Sequence, residues 1–146
     1  MSAYKVFSDI QFRDRQCLLT ALAALGWEAT KIEEGNKVTL VDYVGKPRPE
    51  TAEIVIRRAH LGHASNDIGF AKSENGYVPI VSDYDQGHVL GGRFLKEVKR
   101  EYGVAAANAL AKKLGRTVER RVDGKGNIIL TLKPTAVSRL QQVRSY

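Results

Sequence analysis

The chain has one cysteine, one tryptophan, one methionine and four prolines among 146 residues. The lone Cys17 has no partner for an intramolecular disulfide, and a cysteine-rich metal site is excluded. That usage suits a reducing compartment, so a cytoplasmic protein is expected. No apolar run reaches the ~18–20 residues that a membrane helix needs. The opening MSAYKVFSDIQF carries no apolar signal core, so no membrane contact is expected. Phosphate-loop chemistry is missing as well. There is no G-x-x-x-x-G-K-[ST], and GKGN leads into a strand rather than a helix. No G-x-S-x-G elbow surrounds a serine. No RNP aromatic signature, KH-type loop or zinc-finger spacing is present. No catalytic residue and no cofactor is assigned.

What is present is an ordinary globular composition, 43% hydrophobic and 27% charged, enough for one core. The length fits a single domain, expected to end at Pro134, with residues 135–146 as a loose or helical tail. The net charge of +7 is uneven. Residues 1–50 balance, 51–90 carry −2, and 91–146 carry 13 basic against 4 acidic groups. Such asymmetry points to an anionic partner or to a solvated basic face.

The periodicity predicts an α+β fold, a mainly antiparallel sheet with two or three helices on one face. A strand over Tyr4–Phe12 precedes a helix capped by Asp14, with Cys17, Leu18, Ala21, Leu22 and Leu25 at helical spacing and Gly26 as its stop. Two strands are expected to flank Glu34-Gly35-Asn36, with GKPRPE as a loop because Pro47 and Pro49 deny ladder donors. TAEIVIRR follows as a strand with Ile54 and Ile56 on one face and Val55 on the other. A second hairpin is expected to turn at Asn75-Gly76, and Pro79 places its second strand at an edge or a bulge. A helical stretch after Gly91-Gly92 carries Phe94, Leu95, Val98, Tyr102 and Leu110, with Gly103 as a candidate break. A last hairpin turns over Asp123–Gly126. Helix, Leu-Gly, strand, Gly-Asn turn, strand occurs twice, at ALAALGWEATKIEEGNKVTLV and LAKKLGRTVERRVDGKGNIILTL. Duplication and repeated use of one stable unit both explain the echo.

The ordered motifs FSDI, LLTALAALG, VDYVG, AEIVI, NDIGF, Tyr77, VSDYD, FLKEVKREY and DGKGNIILTL run from Phe7 to Leu132, and the resemblance they carry covers roughly residues 1–133. In this order the chain resembles the hypothetical chloroplast open reading frame thirty-five family of plastids and bacteria. It departs from the family by a longer RRAHLGHAS loop and by the tail. The resemblance implies a small stand-alone protein with no established activity or cofactor, and a partner among ATPases of the AAA class. It carries no catalytic residues over.

Four constellations remain. His60, His63 and His88 with Asp67 have ligand types that zinc accepts, but a glycine-containing loop does not hold H-x-x-H on one face, and solvated histidines explain them better. Asp67 and Asp83 are a carboxylate pair that turn capping also explains. Lys96, Lys99, Arg100, Lys112, Lys113, Arg116, Arg120, Arg121 and Lys125 form a strip suited to phosphates, hence a nucleic-acid-binding reading. The apolar strand YVPIV is either an edge for a protein partner or self-association, or a covered central strand. The expected function is binding, first of a protein and alternatively of nucleic acid.

Overall fold

A computed structural model describes residues 3–134, so the expected tail at 135–146 lies outside the described residues. The fold is α+β. Strands β1 (Tyr4–Val6), β2 (Ile32–Val41), β3 (Pro47–Ile56), β4 (Ile68–Ser73) and β5 (Gly76–Ser82) form one antiparallel sheet in the order β1-β5-β4-β3-β2. Helices α1 (Arg15–Ala24), α2 (Asp83–His88) and α3 (Phe94–Lys113) accompany it, and β6 (Arg116–Val122) and β7 (Ile128–Pro134) form a separate two-stranded ribbon.

Helix α1 starts where expected, because the Asp14 carboxylate accepts from Cys17 N at 2.8 Å. It stops at Leu25-Gly26 with Trp27 N bonded to Leu22 O and Gly26 N to Ala23 O, the paired closure of a Schellman end. Its apolar stripe, Leu18 and Leu22, meets Phe94 and Val98 of α3 and the sheet residues Ile54, Ile56, Ile68, Phe70 and Val81 in the main core. The other face of the sheet holds a smaller cluster of Leu40, Ala52, Val55 and Ile80. Ile54 and Ile56 therefore do face opposite to Val55. Gly69 lies where Cβ atoms have no room: one built there would stand 2.6 Å from Ala52 Cβ.

Several boundaries differ from the sequence reading. The first strand ends at Val6, and only Phe12 rejoins the sheet, opposite Tyr77. Glu34-Gly35-Asn36 is not a turn. Strand β2 runs through it with an irregular register and a left-handed Lys37 at φ 52°. The turn comes instead at Asp42–Lys46. Pro47 and Pro49 belong to β3, which meets β4 only at Ile54–Ile56, so the first half of the strand can lack donors. The second hairpin turns at Glu74-Asn75, with Ser73 opposite Gly76. Strand β5 is internal and buried, paired to β4 and β1, which removes the edge reading of YVPIV. Pro79 is accommodated because the N-terminal segment loops out beside it: Phe7 N donates to Pro79 O, and Phe7 O takes Ile10 N instead of a proline donor. Helix α3 is unbroken, and Gly103 is exposed on its solvent side, where it costs helix propensity but blocks no packing. Helix α2 has a Ser-x-x-Asp start, Ser82 to Asp85, which the sequence reading treated as turn.

Candidate functional site

The histidines and aspartates lie near one end of the large sheet, where Asp42, Ser65, Asn66, Asp67, Ser82 and Asp85 are all buried. Asp67 Oδ1 accepts from Arg58 N at 2.7 Å, and Oδ2 from Val41 N at 2.8 Å and the Arg57 guanidinium at 2.6 Å. Its carbonyl accepts from the Tyr4 hydroxyl at 2.7 Å. Burial, reinforced by the Asp67 and Asp85 carboxylates, pushes the Tyr4 phenol above its ordinary range. Asn66 links three segments. Its Oδ1 accepts from Tyr43 N, its Nδ2 donates to Ser82 Oγ at 2.8 Å, and its N–H donates to Asp85 Oδ2 at 3.0 Å. Burial raises the Asp85 carboxyl above the usual aspartate range despite hydrogen bonds from Ser65, Asn66 and Ser82. The S-x-x-D start of α2 was the available signal for Ser82 and Asp85. Nothing local announced Asn66, whose partners are 16, 19 and 23 residues away.

These bonds clamp loops together and engage both Asp67 carboxylate oxygens. His88 Nδ1 sits 2.7 Å from Tyr84 O, and its ring stacks on Tyr84 at 4.0 Å. His63 and His88 line one open hollow with Leu61, Ser65, Tyr84 and Val89. His60 is exposed, and its carbonyl holds the Trp27 indole N–H at 3.0 Å. Among the described residues, no three His, Cys, Asp or Glu side chains come together as a metal site requires. Asp67 is buried while Asp83 is exposed, so the two do not share one environment. Cys17 is buried, and that burial, with Asp14 nearby, raises its thiol pKa, which disfavours a nucleophilic thiolate.

The basic strip divides. Lys96, Lys99 and Arg100 on α3 meet Lys125 of the ribbon turn in an open groove of about 400 Å³, completed by Gly126, Asn127 and Ile128. Arg100 donates to Gly126 O at 3.1 Å and lies 3.6 Å from Glu97. The turn is built by Asp123, whose Oδ1 accepts from Lys125 N at 2.8 Å and Asn127 N at 2.9 Å. Those backbone donors hold the Asp123 carboxyl below its ordinary range. Arg120 is taken by Glu101 in a two-pronged pair at 3.3 and 3.1 Å. Arg121, next along β6, faces the other side of the ribbon. Arg116 opens β6 opposite Pro134. Lys112 and Lys113 end α3, about 24 Å along the axis from Lys96 at about 1.5 Å per residue. Four of the nine candidates thus share one groove, and the sequence reading missed its other wall, Asn127 and Ile128.

The same region is poorly covered. No side chain of β6 or β7 is buried, and Leu110, Leu114, Val122 and Leu132 are among the exposed large hydrophobics. Among the described residues, β6 and β7 pair only with each other. No helix among the described residues is long and apolar enough to cross a membrane. A family model described as a protein of unknown function, DUF1257, matches residues 21–131, from the middle of α1 to within β7. No curated protein matches the chain. No solved structure matches it.

Proposed function

The chain belongs to the family described as a protein of unknown function, DUF1257, and from its structure we propose that it is a non-enzymatic accessory protein that binds another protein through the ribbon and the end of α3. One observation carries this reading. A two-stranded ribbon is marginal alone in water and gains stability from a third strand or a covering surface. Here, among the described residues, nothing pairs with the ribbon's outer edges and no side chain of β6 or β7 is buried, and Leu114, Val122 and Leu132 are exposed. Strand β7 begins Ile-Ile-Leu-Thr-Leu without a charge, and such an uncharged edge invites pairing. The other long edge, β2, is guarded by Glu33, Glu34, Lys37 and a register shift. The ordered motifs support placing the chain with the chloroplast open reading frame thirty-five proteins, and on that placing the partner is an ATPase of the AAA class. The lone buried Cys17 supports work in the reducing cytoplasm.

The test compares wild type with Leu114→Asp/Leu132→Asp, both confirmed folded by circular dichroism. Cross-linking followed by mass spectrometry is expected to give a defined complex with wild type that the double variant loses. Identical products from both proteins would refute the reading.

A further inference from the structure

We propose that the groove between α3 and the ribbon turn binds a phosphate ester carrying two or more negative charges. This inference is independent of the protein-partner reading, which rests on the ribbon's apolar edge. Several strong charges elsewhere meet opposite ones: Arg15 with Glu34, Arg57 with Glu33 and Asp67, Arg120 with Glu101, Lys133 with Glu119. Single lysines such as Lys37 and Lys72 also show no ion pair among the described residues, but in the groove three such lysines converge beside Arg100, itself next to Glu97. Among the described residues, the ammonium groups of Lys96, Lys99 and Lys125 have no ion pair and no hydrogen bond, and no carboxylate lines the groove. Like charges held together repel, and an anion would relieve that repulsion.

The groove is also shaped in advance. Lys125 rides on a turn fixed by two backbone bonds to Asp123. Arg100 has one guanidinium nitrogen on Gly126 O and another beside Glu97, which sets the plane of its fork. About 400 Å³ accommodates a phosphate ester. Among the described residues no aromatic ring lines the groove to stack a base, so recognition goes to the phosphate. Two sources offer that chemistry, a small polyphosphate ester and the backbone of a single strand.

The experiment titrates the full chain with inorganic tripolyphosphate and, separately, with a single-stranded oligothymidylate at several salt concentrations. Wild type is expected to bind at low salt. With three or four cations engaged, the oligothymidylate should show a log–log salt slope of about −2 to −3. Lys96→Glu/Lys99→Glu should weaken binding at least about tenfold, as expected for losing charge-assisted contacts. Lys112→Glu/Lys113→Glu makes the same change of net charge at the far end of α3 and should leave binding unchanged. Tighter binding of oligothymidylate than of tripolyphosphate assigns the groove to a strand, and the reverse assigns it to a small ester; both support a phosphate site. No binding of either probe by wild type, or equal loss in the two double variants, overturns it.

Discussion

The molecule contains two helix–hairpin units built to one local plan and placed in opposite settings. In each, a helix ends at Leu-Gly and a hairpin follows. The first hairpin turns over Asp42–Lys46, with Asp42 N bonded to Lys46 O, Gly45 N to Asp42 O, and Asp42 Oδ1 accepting from Val44 N and Lys46 N. The second turns over Asp123–Asn127 with the same four bonds, and Gly45 and Gly126 take φ of 84° and 81°, values that favour glycine. The surroundings differ. Strands β2 and β3 bury Leu40, Ala52, Ile54, Val55 and Ile56, whereas β6 and β7 have half-buried residues such as Ile128, Ile129 and Leu130 but no buried one. Residues 32–56 carry three basic and five acidic groups, and residues 116–134 carry five basic and two acidic. Turn chemistry makes a hairpin. What lies beside it decides whether the hairpin becomes core or a presented surface.

The sharpest way to break this comparison is to make the same substitution in both helices. Leu22 is fully buried in the main core, so Leu22→Ala should cost about 2–5 kcal/mol. Leu110 is 51% exposed, and Leu110→Ala should change stability by no more than about 0.5 kcal/mol. Urea unfolding checks both. Equal losses would mean that the second unit is as integrated as the first.

A pH series sharpens the same contrast. The first hairpin's turn is tied to the buried network through Tyr43 and Asn66, and that network contains Asp85. Folding raises the Asp85 carboxyl, so the folded chain holds this proton more tightly than the unfolded chain. Its contribution is therefore complete below the ordinary aspartate range and is lost as pH rises through the raised value. One proton sets the steepest slope at about 1.4 kcal/mol per pH unit. Asp85→Asn should flatten the wild-type decline above the ordinary range, read as urea midpoints against pH. An unchanged slope would remove Asp85 as its source.

Legibility in the sequence followed the range of the interaction. Helix α1 was readable because its cap, stripe and stop lie within 13 residues, Asp14 to Gly26. Its mate α3 was readable by periodicity, and Gly103 misled only because exposure cannot be read from one residue. The turn of the first hairpin was misplaced because Glu34-Gly35-Asn36 has turn composition, yet pairing with β3 carries the strand through it. The turn signal at Asp42 was quoted within VDYVG and not read as a turn. Pro79 pointed to an edge or a bulge, since the compensation by Phe7 O and Ile10 N comes from a distant segment. The basic residues were legible as a charge excess in the last third of the chain. Which of them share a groove depends on the ribbon folding back on α3, and no local pattern encodes that.

A smaller effect is expected at the helix starts. Asp14 caps α1 with its carboxylate, whereas Arg93 precedes α3 with no side-chain cap. Asp14→Ala should cost about 1 kcal/mol, and Arg93→Ala close to nothing. The Cys17 backbone N–H holds the Asp14 carboxyl below its ordinary range. Its contribution is therefore present above the ordinary aspartate value and fades as pH falls through the lowered one. The gap between wild type and Asp14→Ala should close in acid, and a gap independent of pH would assign the loss to something other than the charged cap.

The two matching turns separate local from global structure, and the smallest effect on global stability falls at the second. Asp42→Ala removes the acceptor for Val44 N and Lys46 N and an ion-pair partner of Arg48, in a turn that is also bonded to Asn66. Unfolding that turn strains the buried network, so the urea midpoint should fall. Asp123→Ala removes the same two backbone bonds from a turn whose outside tie is Arg100 on Gly126 O. The ribbon can open without disturbing the core, because no β6 or β7 side chain is buried in it. The midpoint should therefore stay within error while amide exchange across β6 and β7 accelerates and that of β4 and β5 does not. A midpoint shift as large as that of Asp42→Ala would show that the ribbon unfolds with the core as one unit, and the two hairpins would then differ in burial but not in cooperativity.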